Sequence, residues 1–389
     1  MRLFLLLYIY KMERIYFDNA ATTPLDKEVA DAMYHVMILE FGNPSSTHTE
    51  GRNVRTIIEE CRRTIAKLIN CSPGEVFFTS GGTEADNMAI RKTVAAYDIK
   101  NIITSEIEHH AVLHTIEELT KSGDVKLHFV KLTANGHVNY EDLELLLQNN
   151  PNALLSLMHA NNEIGNLLDA ELVGNLCEKY QAFFHSDTVQ TIGHYPIDVQ
   201  KLKVHFIACA AHKFHGPKGV GFIYISSNAK IHPFLTGGAQ ERNMRGGTEN
   251  FYGIVGLTKA LENAYANLEK EMTHISSLKN YMIEQLKLNI DGITFNGDAE
   301  GNSLYTVLNA SFPPSSIGEM LLFKLDIAGV SVSGGSACSS GSEVGSHVLS
   351  ALKTDRNRAA VRFSFSKQNT KSEVDMVISV LMEMLNKSK

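Results

Sequence analysis

Between Glu75 and Ile225 short apolar runs take turns with amphipathic stretches, and this alternation constrains the fold more than any other feature of the chain. Strands are readable at Glu75–Thr79, Asn101–Ser105, Lys126–Val130, Ala153–Met158, Ala182–His185, Val204–Cys209 and Gly221–Ile225. Helical periodicity falls between most of them, at Glu84–Tyr97, Ala111–Ser122, Tyr140–Leu147 and Ala170–Tyr180. Strands separated by helices pair mainly in parallel, and such a sheet is covered on both faces. The expected class is therefore α/β, with a large, mainly parallel seven-stranded sheet. Ligands of these sheets collect beyond the carboxyl ends of the strands, so the residues that follow each run are where chemistry is to be sought.

At 389 residues the chain has room for a second domain. Leu257 to Ile290 contains neither Gly nor Pro and keeps apolar residues three or four apart, which predicts one long helix, or two in succession, leaving the first domain. The remainder reads as a smaller α+β domain. The expected organisation is a tail over 1–14, a large domain over 15–256 whose first residues, 15–23, can pack with the small domain, and a small domain over 257–389. A short helix is expected at Lys27–Leu39, and Ser or Thr residues after Gly42 are available to cap the next helix, through Leu68.

Composition narrows the partners. Apolar residues at 44% and charged residues at 20% fit a soluble protein, and a net charge of -7 without a dense basic run excludes an electrostatic nucleic-acid surface. Leu3–Tyr10 is too short to span a bilayer and no small-residue cleavage site precedes Lys11–Arg14. It is expected to be a tail, with Met12 as an alternative start, on a cytoplasmic protein without a membrane partner. Five cysteines without CxxC spacing fit a reducing compartment. Cys61, Cys177 and Cys209 lie in apolar contexts and read as core, and Cys71 ends a helix. Cys338 differs. It sits in the Gly/Ser stretch Ser333–Ser342, which cannot pack a core and is expected to be mobile, exposing a nucleophilic thiol.

Several residues after strands can carry chemistry. Lys213 ends the run Val204–Ala211 just before a turn forced by Gly216, Pro217 and Gly219. Burying an ammonium is costly, so a lysine here is either solvated or used covalently, as when its amine condenses with an aldehyde cofactor. Ser80-Gly81-Gly82-Thr83-Glu84 opens a helix and is either a plain helix start or an anion cradle of free amides. Asp187 can cap a helix or hold a pyridine nitrogen protonated, with Gln190 in reach of the ring's phenolic oxygen. His110 and His114 have helical i,i+4 spacing, but no HExxH glutamate or third ligand is evident, so no metal site is expected. A histidine such as His109 stacked on a flat cofactor suits the position better. Arg362, inward in a predicted strand, is either a structural ion pair or a bidentate clamp for a carboxylate.

Together these stretches resemble the cysteine desulfurases, a branch of the class V aminotransferase family with the fold type I architecture of pyridoxal-phosphate (PLP) enzymes. The motifs are Phe17-Asp18-Asn19-Ala20-Ala21-Thr22-Thr23, Ser80 to Glu84, Glu108-His109, Asn161-Asn162-Glu163-Ile164-Gly165, Asp187 to Gln190, His212-Lys213, Met244-Arg245-Gly246-Gly247-Thr248 and Ser336-Ala337-Cys338-Ser339-Ser340, in the family's order from Tyr16 onward. The resemblance implies pyridoxal 5'-phosphate on Lys213, His109 on its ring, Asp187 at its nitrogen and Gln190 at its oxygen. Gly82, Thr83 and His212 would hold its phosphate, with Thr248 contributed by a second subunit of a homodimer. Arg362 and Asn162 would grip the carboxylate of L-cysteine, and Cys338 would accept its sulfur for an iron–sulfur scaffold or another acceptor protein. The alternatives are a selenocysteine lyase or small-amino-acid aminotransferase of the same family, or a non-catalytic sulfur-relay scaffold. One departure stands out: relatives usually carry Ser or Thr three residues before the lysine, and this chain carries Ala210.

Overall fold

A computed structural model describes residues 14–335 and 345–386. In chain order its strands are β1 (Ile15–Tyr16), β2 (Val76–Thr79), β3 (Asn101–Thr104), β4 (Lys126–Phe129), β5 (Leu154–Ser156), β6 (Phe183–Asp187), β7 (Phe206–Ala210), β8 (Gly221–Ile225), β9 (Thr294–Phe295), β10 (Val307–Phe312), β11 (Val330–Ser331) and β12 (Ala359–Ser364). Its helices are α1 (Lys27–Leu39), α2 (Thr49–Leu68), α3 (Gly82–Tyr97), α4 (His110–Thr120), α5 (Tyr140–Asn149), α6 (Ala170–Lys179), α7 (Val199–Leu202), α8 (Phe251–Ala266), α9 (Leu268–Asn289), α10 (Leu321–Ile327), α11 (His347–Ala351) and α12 (Lys371–Asn386). Two compact units result. The larger comprises 23–161 and 167–268; the smaller takes 14–22, 162–166 and the described residues from 269 onward.

The larger unit is built on one seven-stranded sheet of order β2-β8-β7-β6-β5-β3-β4. β8 runs antiparallel to both its neighbours, and the pairs from β7 to β4 are parallel. The central strands β5 to β8 are buried along nearly their whole length, as a sheet covered on both faces requires. β2 is antiparallel to β8, which is antiparallel to β7, so the carboxyl ends of β2, β3, β5, β6 and β7 share one edge. Helices bury apolar faces against the sheet: Ala85, Met88 and Ala89 of α3 on one cluster, and Ile254, Leu257 and Leu261 of α8 on another.

Two local expectations are corrected. α2 is capped not by Ser or Thr but by His48, whose Nδ1 accepts the Gly51 amide at 3.3 Å. The Gly-free stretch is two helices, and the first begins earlier, at Phe251, where Asn250 Oδ1 accepts the Gly253 amide at 3.2 Å.

The smaller unit carries the antiparallel sheet β12-β10-β9 and the parallel pair β1-β11, with Asp18 bridging to Ser364 and Ser333 to Arg362. Among the described residues no helix is long and apolar enough to cross a membrane.

Candidate active site

The shared strand edge of the larger unit gathers Lys213, His212, Asp187, Gln190, His109, Gly82 and Thr83. β7 delivers Ala210, and a single turn of 3-10 helix, Ala211–Lys213, follows it. That turn is clamped from the amino-terminal segment: the Thr23 amide and hydroxyl both donate to the His212 carbonyl, at 2.9 and 3.0 Å, and Thr23 Oγ1 accepts the His215 amide at 2.7 Å. His194 Nε2 donates to the Lys213 carbonyl at 3.1 Å. The half-buried Lys213 is thereby fixed at its backbone, leaving four side-chain torsions to place its amine. Burial, then the charges of Lys213 and Lys218, pushes His212 down to about 4, so its ring is neutral at physiological pH.

Asp187 ends β6 and is buried; its Oδ1 accepts the Val189 amide at 2.9 Å. Burial pushes its carboxyl above the ordinary aspartate range, while His109, the Val189 amide and Lys213 pull it back. Lys213 and His109 are therefore the neighbours that favour the ionised form of Asp187. His109 follows β3 and caps α4, its Nδ1 accepting the Ala111 amide at 3.1 Å. Nδ1 is thus an acceptor, and a neutral ring carries its proton on Nε2. Gln190 is buried one turn beyond Asp187.

α3 opens at Gly82 directly after β2, presenting the free amides of a helix N-terminus. A Cβ on Gly82 would lie 2.7 Å from Val189 Cγ2 and 3.9 Å from the Cβ of Ala210, so the cradle, the Asp187 turn and the end of β7 adjoin one another. Thr83 is exposed in the first turn. Thr248 is exposed as well, on the stretch pinned to α3 by Arg245, whose Nε donates to Glu84 Oε1 at 2.9 Å.

In the smaller unit Arg362 is 1% exposed on β12 and meets Asn162, its Nη1 donating to the Asn162 carbonyl at 2.9 Å. Its Nη2 donates to Asp18 Oδ1 at 2.8 Å. The structural ion pair is therefore real, and it leaves Arg362 Nε buried without a hydrogen-bond partner among the described residues. Cys338 lies outside the described residues.

The family model described as Aminotransferase class-V matches residues 15–377. This chain belongs to the class-V aminotransferase family. It is 43% identical over 377 residues to the cysteine desulfurase IscS of Dictyoglomus turgidum, covering 96% of this chain and 95% of that protein. It is 41% identical over 377 residues to the cysteine desulfurase IscS of Methanosarcina thermophila, with coverages of 96% and 92%. A solved NifS-like protein superposes with a TM-score of 0.89 at 36% identity, over 96% of this chain and 100% of its own. SspA in complex with cysteine superposes with a TM-score of 0.79 at 28% identity, over 92% and 100%.

Class-V aminotransferases work with pyridoxal 5'-phosphate, and the donor set of this one fits that group. An amine, a buried acid beside an imidazole, and a glycine-opened helix end lie along one strand edge, matching an aldehyde, a pyridine nitrogen and a phosphate. Sequence reasoning missed the second tier of residues. Asp18 as the Arg362 partner gave no signal, because the two are far apart in sequence. Asp86 and Glu108, both 1% exposed, did give one: an acid on the apolar face of α3, and another just after a strand. Burial raises the Glu108 carboxyl well above its usual range, and its Oε1 accepts the Met158 amide at 2.7 Å.

Proposed function

We propose that this class-V aminotransferase is a PLP-dependent cysteine desulfurase, converting L-cysteine to L-alanine and passing the sulfur to iron–sulfur cluster assembly. The observation that carries the reading is Asp187, a buried carboxyl at a strand end whose electrostatic partners are His109 and Lys213. The name of the curated relatives, cysteine desulfurase, supports the substrate and the reaction.

Pyridoxal 5'-phosphate, when bound, supplies an aldehyde for amines and a ring that draws electron density from the substrate Cα. Lys213 Nζ would hold it, Asp187 would keep its ring nitrogen protonated, and Gln190 would reach its phenolic oxygen. His109 would cover the ring, its orientation set by the Ala111 amide. Gly82, Thr83 and the neutral His212 would take the phosphate, together with Thr248 from a second subunit of a homodimer. Arg362, with Asn162, would bind the substrate carboxylate through donors that Asp18 does not occupy. Lys213 Nζ then moves the proton at the substrate Cα. The Cys338 thiolate attacks the substrate sulfur: an S–S bond forms, the Cβ–S bond breaks and the carbon skeleton is reprotonated. L-cysteine plus a thiol becomes L-alanine plus a persulfide, and no external oxidant is required. Among the described residues Cys61, Cys71, Cys177 and Cys209 are free, which supports a reducing, cytoplasmic setting.

The test separates cofactor from thiol. Cys338→Ala should bind PLP like the wild type, form no persulfide and lose alanine release, whereas Lys213→Ala should lose turnover with Cys338 present. Substantial alanine production by Cys338→Ala from L-cysteine alone would overturn the reading in favour of a lyase that does not need the thiol.

A further inference from the structure

We propose that Asp86 is a positioning residue that holds a proton as a neutral carboxylic acid behind Asp187, directed at His185, so that Asp187 is the ionised member of a buried carboxyl pair. The proposal rests on the reading of Asp187 as the partner of the cofactor's ring nitrogen.

The geometry supplies the argument. Asp86 projects from the inner face of α3, 1% exposed, and His185 from β6, 0% exposed. Asp86 Oδ1 and His185 Nε2 are 3.3 Å apart, and neither atom has a hydrogen-bond partner among the described residues. Such atoms are seldom left bare in an interior. A proton on Oδ1 aimed at Nε2 satisfies both at once. His185 Nδ1 then donates to Ser156 Oγ, 2.8 Å away, and the chain Asp86–His185–Ser156 is electrically neutral.

The second observation places this chain against the site. One carboxylate oxygen each of Asp86 and Asp187 and one ring nitrogen of His109 all lie within 4.8 Å of one another. Two carboxyls so close in a dry interior ionise one at a time. The surroundings decide which keeps the proton. Asp187 receives the Val189 amide at 2.9 Å and the attraction of His109 and Lys213. Asp86 feels burial first, then Asp187 and Glu108, and all three drive it well above the usual aspartate range. His185 cannot take the proton instead, since burial pushes it down to about 3. With Asp86 neutral, the negative charge rests on the carboxyl that a protonated pyridine nitrogen requires.

Infrared spectroscopy of the full-length protein with carboxyl-labelled aspartate tests this, with and without PLP, since the label excludes Glu108. The wild type at neutral pH should show an isotope-shifted band of a protonated carboxyl that vanishes in Asp86→Asn and persists in Asp187→Asn. The reverse pattern overturns the proposal. So does the absence of the band in folded wild-type protein, which decides the matter even if a variant fails to fold. PLP titrated into the apoprotein gives the second readout: Asp86→Asn, a neutral isostere that can still donate to His185, should bind PLP within about twofold of wild type, while Asp187→Asn should lose about tenfold or more. Equal losses in the two variants would mean that Asp86 acts as an anion, against the proposal. Unchanged PLP affinity and spectrum in Asp187→Asn would sink the reading of Asp187 itself, whatever the infrared band shows.

Discussion

Ala210 shows how much one missing hydroxyl can matter. It is buried at the end of β7, with its Cβ 3.9 Å from the point a Cβ on Gly82 would occupy, beside the opening amides of α3. A hydroxyl bound to a charged phosphate contributes roughly 1.5–3 kcal/mol when well aligned. Ala210→Ser should therefore slow the loss of PLP on dialysis by tenfold or so; faster loss would mean that the added oxygen is a buried, unsatisfied group. His159 gives a pH test. Its Nδ1 lies 2.9 Å from Thr191 Oγ1, its amide donates to the Asp187 carbonyl at 2.9 Å, and burial pushes it down to about 4. The folded pKa lies below the unfolded one, so the contribution is fully present above about pH 6.5 and is lost as pH falls towards 4, with a slope of roughly 1.4 kcal/mol per pH unit. His159→Gln removes that proton. In urea unfolding of apoprotein, the stability advantage of wild type over variant should shrink with this slope from pH 6 to 5, and parallel curves would show that His159 is protonated in the fold. Lys213, Asp187 and His109 were legible in the sequence because each follows an apolar run. The Asp18–Arg362 pair and the capping role of His109 were not, because a side chain's partner depends on chain segments that spacing does not bring together.

Among elements, the turn that presents Lys213 depends on a close approach that leaves no room for a side chain at Gly216. A Cβ on Gly216 would lie 2.8 Å from both the Cβ and the carbonyl oxygen of Ala211, the first residue of the 3-10 turn. The neighbouring backbone cannot yield without moving the lysine. Gly216→Ala should destabilise the apoprotein by about 1–3 kcal/mol and weaken PLP binding about tenfold, as read by thermal melts and absorbance titration. A melt like the wild type's with normal PLP affinity would show that the turn has slack. Strand positions in the sequence and in the structure agree within a residue or two for most of the large sheet, because buried central strands leave continuous apolar runs. The start of α8 was hidden because glycine normally argues against a helix interior, and Gly253 and Gly256 lie inside this one. A Cβ on Gly256 would sit 2.6 Å from Met33 Sδ and 2.9 Å from Pro217 Cγ, so here glycine serves close approach to α1 and to the segment after Lys213. The cap of α2 escaped for a different reason: His48 does a task that Ser, Thr, Asp and Asn usually perform.

At the scale of the whole molecule, the remaining question is whether one chain suffices. Tyr34, Ile38 and Phe41, at the end of α1 and just beyond, are 68%, 63% and 79% exposed, with Met37 and Leu39 beside them at 45% and 57%. Apolar side chains clustered in this way mark a surface that another molecule covers. A second copy is the occupant expected here, because the family resemblance also takes Thr248 from a partner subunit. A shared site makes a prediction that mere dimerisation does not. Lys213→Ala and Thr248→Glu should each abolish alanine production, the first by removing the amine and the second by setting a carboxylate against a phosphate. In a mixed dimer one site inherits both lesions and the other inherits neither. Equal amounts of the two variants, unfolded and refolded together so that subunits exchange, should therefore regain about a quarter of wild-type activity, since half the dimers are mixed and each has one intact site of two. If each chain instead builds its own site, both sites of the mixed dimer carry a lesion and the mixture stays inactive. Light scattering at the assay concentration completes the test: a monomer with full activity would exclude a shared site, and a dimer without complementation would move Thr248 to the phosphate of its own chain.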